Sequence, residues 1–313
     1  MTIREAIKYG SVELKYSGIE NPSLDVSLLL GNILGKNRAT LIASGTDPLS
    51  DEALAQFNSH LERRKQGECV AYITKIKEFW GLEFLVNHSV LVPRPDTELL
   101  VETALEIIKK EQQNFDSQRS VPCAALPRPQ SPIIDLCTGS GAVAIALKHE
   151  MPELEVHASD ISAEALEVAK TNAVRLLPPG SIIQFYLGNL FNAKKIEVLS
   201  QKTNNYQLTT NNYFLITANP PYVPTNTIKI LPPEVQKEPR IALDGGETGL
   251  EIIKQIIKDA PNYLISGGIL LMEADPRLME KITNLLTNRG FCDIKLHKDL
   301  SGLERVIGGK YEK

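Results

Sequence analysis

A buried strand that ends at two consecutive prolines constrains the fold of this chain more than any other feature. Residues 213–218 are almost entirely apolar or aromatic, and Asn-Pro-Pro-Tyr follows at residues 219–222. An apolar run without alternation is typical of a strand that is covered on both faces, as in the parallel sheets of α/β proteins. Because proline removes a backbone donor and fixes φ, the strand must end at Asn219. The sequence therefore predicts a stiff polar loop at the carboxyl end of a strand, where such sheets bind ligands.

Strand-like and helix-like patterns alternate from residue 133 to residue 308. This order predicts an α/β fold with a doubly wound, mostly parallel sheet that ends in an antiparallel hairpin. Residues 2–65 show helical periodicity instead, and a chain of 313 residues is long enough for a second domain. The polar residues 192–212 are interpreted as a loop, and residues 111–132, which contain several prolines, as a surface linker.

Between these two parts the hydrophobic pattern changes to a period of two. Residues 72–74 and 78–86 are interpreted as paired strands that turn near Gly81. The helical part shows no catalytic constellation, so it either packs as an appendage or binds a macromolecular partner. We therefore expect a small all-helical domain at residues 1–68, a β-hairpin linker at 69–92 and a larger domain at 93–313.

Composition and charge exclude several classes of protein. A net charge of −4 gives no overall attraction to nucleic acid. No apolar run reaches transmembrane length, and the first residues lack the apolar region of a signal peptide. The four cysteines form no Cys-x-x-Cys pair, and the five histidines show no metal-ligand spacing. We expect a soluble, cytoplasmic protein without a metal site, a membrane partner or a direct nucleic-acid partner.

A glycine-containing turn lies between a strand and a helix in the larger domain. Residues 133–136 form the predicted strand, Cys-Thr-Gly-Ser-Gly follows at 137–141, and the helix begins at Ala142. Such a turn is typical of a nucleotide-cofactor site, because glycine lets the backbone approach a ligand closely. The spacing is not the full Gly-x-Gly-x-x-Gly of pyrophosphate binders, so a cofactor without pyrophosphate fits better. The candidate cofactor residues here are Cys137, Thr138, Gly139, Ser140 and Gly141.

The two strands after this turn also end in polar residues. Asp160 lies about 20 residues beyond the turn, where an acidic side chain is placed to bind ribose hydroxyls. A helix cap is the alternative interpretation of Asp160, because a helix opens at Ser162. Farther along, Asn189 is placed to hydrogen-bond an adenine edge and Leu190 to pack on the ring, although a simple turn explains them nearly as well.

The segment Pro-Arg-Pro-Asp-Thr-Glu at residues 93–98 precedes a helical run. The two prolines keep the backbone extended, and Asp96 or Thr97 can cap the helix. Arg94 lies between the prolines, and packing alone does not readily explain it. Arg94 is therefore a candidate substrate-binding residue.

Taken together, these segments resemble one superfamily. The glycine turn with its preceding strand, Asp160 and residues 219–222 resemble the class I S-adenosylmethionine-dependent methyltransferases that act on planar nitrogens. Residues 93–98 are more specific, and with them the chain resembles the release factor glutamine N5-methyltransferases nearly end to end. Other matching segments are residues 18–34, 78–82, 299–302 and 304–306. The chain departs from the family pattern at Cys137, where glycine is usual, at Asn189, where aspartate is frequent, and at residues 273–276.

Other methyltransferases and an oxidoreductase share parts of this pattern. Ribosomal-protein glutamine methyltransferases have Asn-Pro-Pro-Tyr but lack the Pro-Arg-Pro-Asp-Thr-Glu pattern, and they remain the first alternative. A DNA adenine N6-methyltransferase would need a basic recognition domain and is less favoured. A dinucleotide-binding oxidoreductase would need the full glycine fingerprint, which is missing.

The resemblance implies a Rossmann-like fold and one defined reaction. A methyl group would pass from S-adenosylmethionine to the N5 nitrogen of the glutamine in the Gly-Gly-Gln loop of class 1 peptide chain release factors. The Asn219 side-chain oxygen and the Pro220 carbonyl can accept both amide hydrogens of that glutamine, which orients the nitrogen and stabilises its growing positive charge. Tyr222 can stack on the planar amide. The expected substrate residues are Asn219, Pro220, Pro221, Tyr222 and Arg94, and Asn219 is also expected to contact the cofactor.

Overall fold

The computed structural model describes residues 1–117, 131–196, 203–208 and 213–313, and these residues form two compact units. The first unit comprises Met1–Ile76 and Leu231–Lys237, and the second comprises Lys77–Ile230 and Glu238–Lys313. Within the described residues, no helix combines the length and the apolar character that are needed to cross a membrane.

The first unit is helical, as its hydrophobic periodicity predicts. Its core is formed by apolar side chains on the inward faces of the helices, among them Leu14, Leu30 and Phe57. Arg64 is buried in this unit and forms ion pairs with Asp25 and Glu234. The helices before the hairpin are α1 (Ile3–Tyr16), α2 (Pro22–Leu34), α3 (Arg38–Ala43), α4 (Asp51–Lys65) and α5 (Val70–Thr74).

The prediction that residues 72–74 form a strand is wrong, because they belong to α5. The Thr74 hydroxyl donates to the carbonyl of Val70, four residues earlier, as in a helical turn. Lys75 then adopts a left-handed conformation with φ of 62°, and the extended chain begins only after it. Two of the three residues are buried apolar side chains, and so short an apolar run does not distinguish a helix from a strand.

The predicted hairpin is confirmed for the residues that follow. Strands β1 (Ile76–Phe79) and β2 (Leu82–Leu85) form a two-stranded sheet. The two turn residues, Trp80 and Gly81, have φ of 55° and 67°, as the tight two-residue turns of hairpins require. The Trp80 backbone N–H donates to Glu98, which ties the turn to the start of the next helix.

The described residues of the second unit form a nine-stranded sheet. Its strands are β3 (Ile133–Leu136), β4 (Val156–Asp160), β5 (Ile183–Asn189), β6 (Asn192–Ile196), β7 (Thr203–Gln207), β8 (Tyr213–Ala218), β9 (Leu264–Glu273), β10 (Phe291–Lys298) and β11 (Glu304–Tyr311). They lie in the order β10-β11-β9-β8-β3-β4-β5-β6-β7. The five central strands, β9 to β5 in this order, are parallel, and the strands outside them pair antiparallel. This confirms the predicted doubly wound α/β fold with a final antiparallel hairpin.

Both faces of the central strands are covered, as the apolar run at residues 213–218 predicts. Along β8, Leu215 belongs to one core cluster and Ile216 to the other, so consecutive side chains pack on opposite faces. Helices α6 (Glu98–Ser117), α7 (Ala142–Glu150) and α8 (Ala163–Leu176) contribute to the first cluster. Helices α10 (Glu251–Asp259) and α11 (Met279–Arg289) contribute to the second, and the short α9 (Pro233–Gln236) belongs to the first unit.

Two polar stretches differ from the interpretation of the sequence. Residues 192–196 and 203–207 are strands, so a loop over 192–212 is wrong for these residues; the rest of that stretch lies mostly outside the described residues. Gly188 allows the tight return of the chain, since a Cβ there would lie 2.2 Å from the Asn192 carbonyl oxygen. Of the linker predicted at 111–132, residues 111–117 continue α6, and residues 118–130 lie outside the described part.

Candidate functional site

A cavity of about 670 Å³ lies in the second unit, at the carboxyl ends of the central strands. Its volume is in the range of small-molecule sites. Strand β3 lies between β4 and β8, so the chain order reverses beside it, and crevices at such a point are the usual ligand sites of doubly wound sheets. The structure places most of the predicted site residues in its wall: Arg94, Cys137, Thr138, Gly139, Ser140, Asp160, Asn189, Leu190, Asn219 and Pro221.

The two glycines of the turn after β3 have different surroundings. Gly139 has φ of 55°, lines the cavity, and a Cβ built on it meets no atom within 4 Å. Gly141 has φ of 82°, and its Cβ would lie 2.8 Å from Ile145 Cδ1 and 3.2 Å from Ala169 Cβ. Gly139 thus keeps the cavity open, whereas Gly141 lets α7 and α8 pack closely.

Alanine substitutions at these two glycines are expected to have different effects. Gly139→Ala should lower the free energy of unfolding by about 1–2 kcal/mol, through backbone strain alone, and should weaken binding of S-adenosylmethionine. Gly141→Ala adds overpacking of roughly 1–3 kcal/mol to the same strain and should mainly destabilise the fold. Urea unfolding and calorimetric titration of both variants check this. Equal loss of stability in the two variants would contradict the assignment.

A buried carboxyl group lies beneath this turn. Asp135 accepts hydrogen bonds from the Thr138 hydroxyl at 2.6 Å and from the Thr217 hydroxyl at 2.9 Å, so it joins the turn to β8. Burial raises the pKa of Asp135 to about 7, although both hydroxyl bonds favour the ionised form. Neither Asp135 nor Thr217 was assigned a role from the sequence, because the contact joins residues 82 positions apart.

The raised pKa of Asp135 predicts a particular dependence of stability on pH. Below the ordinary pKa of 3.8, the Asp135 carboxyl is protonated in both the folded and the unfolded protein. As the pH rises toward 7, the carboxyl ionises first in the unfolded protein. The free energy of unfolding therefore falls as the pH rises. Asp135→Asn removes this titration. Between pH 5 and pH 8 the free energy of unfolding of wild type should fall relative to the variant by about 3 kcal/mol. Urea unfolding at several pH values measures the difference, and parallel curves would contradict it.

Asp160 lies at the end of β4 with both oxygens directed to backbone donors. Its Oδ2 accepts from the Gly139 N–H and its Oδ1 from the Ser162 N–H, each at 2.9 Å. Burial raises the pKa of Asp160, while these bonds oppose the rise. The N-cap of α8 is Ser162, whose own hydroxyl accepts from the Ala165 N–H, so Asp160 is not the helix cap. Asp160 lines the cavity, and a carboxylate has about four acceptor sites, so it can still accept a hydrogen bond from a ligand there.

Asn189 and Leu190 lie at the turn from β5 to β6. Asn189 is exposed and Leu190 is buried with φ of 52°, and both line the cavity. Ser159 also lines the cavity; it is fully buried, and its Oγ has no hydrogen-bond partner among the described residues. The cavity wall thus includes an amide, a hydroxyl and an apolar surface.

The Asn-Pro-Pro-Tyr segment begins where β8 ends. Asn219 is half-buried in the cavity wall, and its Nδ2 donates to the Thr97 hydroxyl oxygen at 3.2 Å. Pro221 lines the cavity, whereas Pro220 is buried. Tyr222 packs against the second core cluster, and burial raises the pKa of its hydroxyl far above the usual value. Because Asn219 Nδ2 donates to Thr97, a ligand in the cavity would be bound by the Asn219 side-chain oxygen.

Arg94 has an ionic partner that the sequence did not indicate. Its guanidinium pairs with the carboxylate of Glu238, which also accepts from the backbone N–H of Val92 at 3.1 Å. Glu238 begins the return of the chain into the second unit. Arg94 therefore connects residues 93–98 to the loop after β8 while it lines the cavity.

Protein-family models and full-length relatives match this chain. Two protein-family models match, the PrmC N-terminal domain at residues 5–74 and the methyltransferase small domain at residues 112–230. The release factor glutamine methyltransferase of Geobacter sulfurreducens is 35% identical over 310 residues, which are 99% of this chain and 96% of that protein. The release factor glutamine methyltransferase of Vibrio cholerae is 35% identical over 312 residues, 100% of this chain and 98% of that protein.

The chain belongs to the release factor glutamine methyltransferase family. Among solved structures, a release-factor-specific protein-(glutamine-N5) methyltransferase from Alicyclobacillus acidocaldarius is 23% identical, covers 74% of this chain and 100% of its own, and gives a TM-score of 0.38.

In this family member, the Pro-Arg-Pro-Asp-Thr-Glu segment has contacts that differ from the predicted helix cap. Asp96 forms an ion pair with Arg305 at 3.2 Å, and Thr97 accepts from Asn219. Arg305 also pairs with Asp299 at 3.3 Å, which connects the final hairpin to the same segment. These contacts join the segment to distant strands, which the helix-cap interpretation of Asp96 and Thr97 did not predict.

Several cavity residues were not identified from the sequence. Most come from the long loop after β8 and from the segment before residue 93, where no motif marks them. Glu273, which is not part of the cavity wall, was noted only within the segment 273–276 that departs from the family pattern, although its position at the end of a buried strand is a signal for a site. The missed lining residues include Ser89, Val90, Thr97, Ser159, Thr225, Arg240, Ile241 and Asp244.

Proposed function

We propose that this protein transfers a methyl group from S-adenosylmethionine to the N5 nitrogen of the glutamine in the Gly-Gly-Gln loop of class 1 peptide chain release factors. The observation that carries the proposal is the placement of Asn219 in the same cavity wall as Gly139 and Asp160. An amide-binding residue and a nucleoside-binding turn are thereby within one cavity. The names of full-length relatives support the choice of release factor as substrate.

The cavity wall fits S-adenosylmethionine. Asp160 offers two carboxylate oxygens to the ribose hydroxyls, and Gly139 leaves open space beside them. Asn189 and Leu190 offer an amide and an apolar surface to the adenine. Cys137, Thr138 and Ser140 also line this part of the cavity. Gly141 contributes indirectly, because it lets helices α7 and α8 pack closely. When bound, S-adenosylmethionine supplies an electrophilic methyl group on a sulfonium sulfur.

The residues after β8 prepare the substrate amide. A carboxamide nitrogen is a weak nucleophile, because its lone pair is delocalised into the carbonyl. The Asn219 Oδ1 and the Pro220 carbonyl accept its two hydrogens, direct the nitrogen toward the methyl group and stabilise the positive charge that grows on it. Proline at 220 contributes no N–H that would compete. Pro221 holds the plane of the amide from the cavity wall, whereas Tyr222 packs against the second core cluster and is not part of that wall. Arg94 binds the adjacent peptide.

No residue has to remove a proton before methyl transfer. The nitrogen loses its proton after it has gained the methyl group, when it is strongly acidic. A dedicated general base is therefore unnecessary, and positioning and charge stabilisation supply the catalysis.

The remaining parts of the chain serve the protein substrate in this proposal. Residues 1–68 form the domain that binds the release factor, residues 69–92 form the linker, and residues 93–313 form the methyltransferase domain. The separate family match at residues 5–74 and the lack of predicted cofactor residues in that region support this division. The protein acts in the cytoplasm, where release factors function in translation termination.

A side-by-side methyl-transfer assay tests the proposal. Radiolabelled S-adenosylmethionine is incubated with the protein and one acceptor: a class 1 release factor, the same factor with Gly-Gly-Gln changed to Gly-Gly-Ala, ribosomal proteins or adenine-containing DNA. Label is expected in the unaltered release factor alone. Label in ribosomal protein would instead support the ribosomal-protein alternative, and label in DNA the adenine N6-methyltransferase.

A further inference from the structure

The carboxamide of Asn219 has two chemically different ends that occupy nearly the same space. A rotation of 180° about its last bond exchanges an oxygen acceptor for a nitrogen donor. In the proposed function the oxygen must face the substrate, because the substrate amide presents hydrogens. Something in the protein must therefore hold the nitrogen end.

Two buried polar residues lie beside Asn219. In the parallel pair of β8 and β9, Ala218 is opposite Met272, so Asn219 and Glu273 follow at the same edge of the sheet. Thr97 comes from the short 3-10 turn Pro95–Thr97 before α6. Thr97 is 4% exposed and Glu273 is 1% exposed, so solvent does not satisfy either side chain.

The hydrogen bonds among these three side chains have a definite direction. Asn219 Nδ2 donates to Thr97 Oγ1, which leaves the single hydroxyl hydrogen of Thr97 for another acceptor. The Thr97 hydroxyl and the Asn219 amide both lower the pKa of the Glu273 carboxyl group, against the effect of burial. An ionised carboxylate only accepts hydrogen bonds, so it makes Thr97 the donor toward Glu273 and the acceptor from Asn219.

The reverse orientation of Asn219 would be unfavourable. It would place the Asn219 oxygen near a carboxylate whose Oε2 is already buried without a hydrogen-bond partner among the described residues. A buried acceptor that faces another acceptor loses its hydrogen bond and costs about 1–3 kcal/mol.

Arg305 helps to keep Glu273 ionised. Burial raises the pKa of Glu273 to about 7, whereas the Thr97 and Asn219 bonds and the positive charge of Arg305 favour the ionised form. Asp96 acts in the opposite direction, but it and Asp299 also hold Arg305 in place through ion pairs. Three interactions, from Thr97, Asn219 and Arg305, therefore oppose the effect of burial on the Glu273 carboxyl group.

From this arrangement we propose that Thr97 and Glu273 are positioning residues that orient Asn219, with Nδ2 held by the protein and Oδ1 presented to the substrate amide. This inference rests on the proposed function and assigns a cause to the orientation that it requires. The role that we assign to Thr97 and Glu273 is to hold Asn219, although Thr97 also lines the cavity. Their effect passes through Asn219.

Thr97→Val and Thr97→Ser form a matched pair that tests the inference. Valine keeps the shape and removes the hydroxyl, whereas serine keeps it. Thr97→Val should lower kcat by roughly 10–30-fold, because small misplacement of a reacting group is costly, with the Kd for S-adenosylmethionine within about twofold. Thr97→Ser should retain kcat within about threefold on the same grounds. Glu273→Gln, which can present either end to Thr97, should lower kcat about fivefold.

A control separates positioning from the loss of any buried threonine hydroxyl. Thr103 is 2% exposed, lies on α6 and does not line the cavity. Thr103→Val should change the melting temperature but not kcat. A folded Thr97→Val variant with kcat within twofold of wild type, or a Thr97→Ser variant as impaired as Thr97→Val, would overturn the inference.

A measurement without substrate distinguishes this inference from the proposed function. The side-chain amide NMR signal of Asn219, identified by its absence in Asn219→Asp, should exchange slowly with solvent in wild type and rapidly in Thr97→Val. If wild type fails to methylate release factor but this difference is seen, the proposed function is wrong and the positioning stands. Unchanged exchange in Thr97→Val would remove the positioning role whatever the substrate.

Discussion

Asn219→Ala is expected to lower the turnover of release factor methylation by about 10²–10³-fold, the usual effect of removing one preorganised partner of a transition state. The variant loses the oxygen that accepts a hydrogen of the substrate amide. Stability should change by only about 1 kcal/mol, because Asn219 is half-buried at the end of β8 and its truncation leaves no core cavity. Affinity for S-adenosylmethionine should fall much less than turnover, since most proposed cofactor contacts come from the turn at 137–141 and Asp160.

Turnover, melting temperature and cofactor Kd should be measured on the same preparation of the Asn219→Ala protein. Asn284→Ala is a suitable control, because Asn284 is exposed on α11 and does not line the cavity. A near-normal turnover in Asn219→Ala would remove this residue from the mechanism. So would inactivity that is fully explained by unfolding.

Asp160→Ala is expected to weaken S-adenosylmethionine binding by about 100-fold. Two ribose hydroxyls would each lose a hydrogen bond to a charged group, and such bonds contribute about 1.5–3 kcal/mol each, part of which water recovers. The turn at Gly139 would also lose its anchor, because Asp160 Oδ2 accepts from that N–H. Isothermal titration calorimetry measures the change in Kd directly.

Ser162→Ala separates the cofactor role of Asp160 from helix capping. Ser162 is the N-cap of α8, so its truncation should cost about 1 kcal/mol of stability while it weakens cofactor binding far less than Asp160→Ala. If Asp160→Ala is folded and binds S-adenosylmethionine with wild-type affinity, Asp160 has only a structural role in the loop.

The prediction of the fold succeeded where the pattern is long or the chemistry is local. The apolar run before Asn219 and the glycine turn after Leu136 are strand ends in the structure, as expected. The predictions failed at residues 72–74, where the run is short, and at 192–196 and 203–207, where the residues have low strand propensity. The free edge of β5 pairs with β6, and β6 in turn pairs with β7, which no property of these residues alone reveals.

By itself, the sequence determined the features that depend on neighbouring residues. Prolines 220 and 221 end a strand, positive φ suits Gly139 and Gly141, and hydrophobic periodicity separates helices from strands. Only the tertiary structure decided the partners of the polar side chains. Thr97 and Asn219 are 122 residues apart in the sequence, Asp135 and Thr217 are 82 apart, and each pair is joined by a side-chain hydrogen bond. The physical reason is that a buried polar group bonds to whatever the packing of strands and helices brings within about 3 Å, and that packing is not a property of its neighbours in the chain.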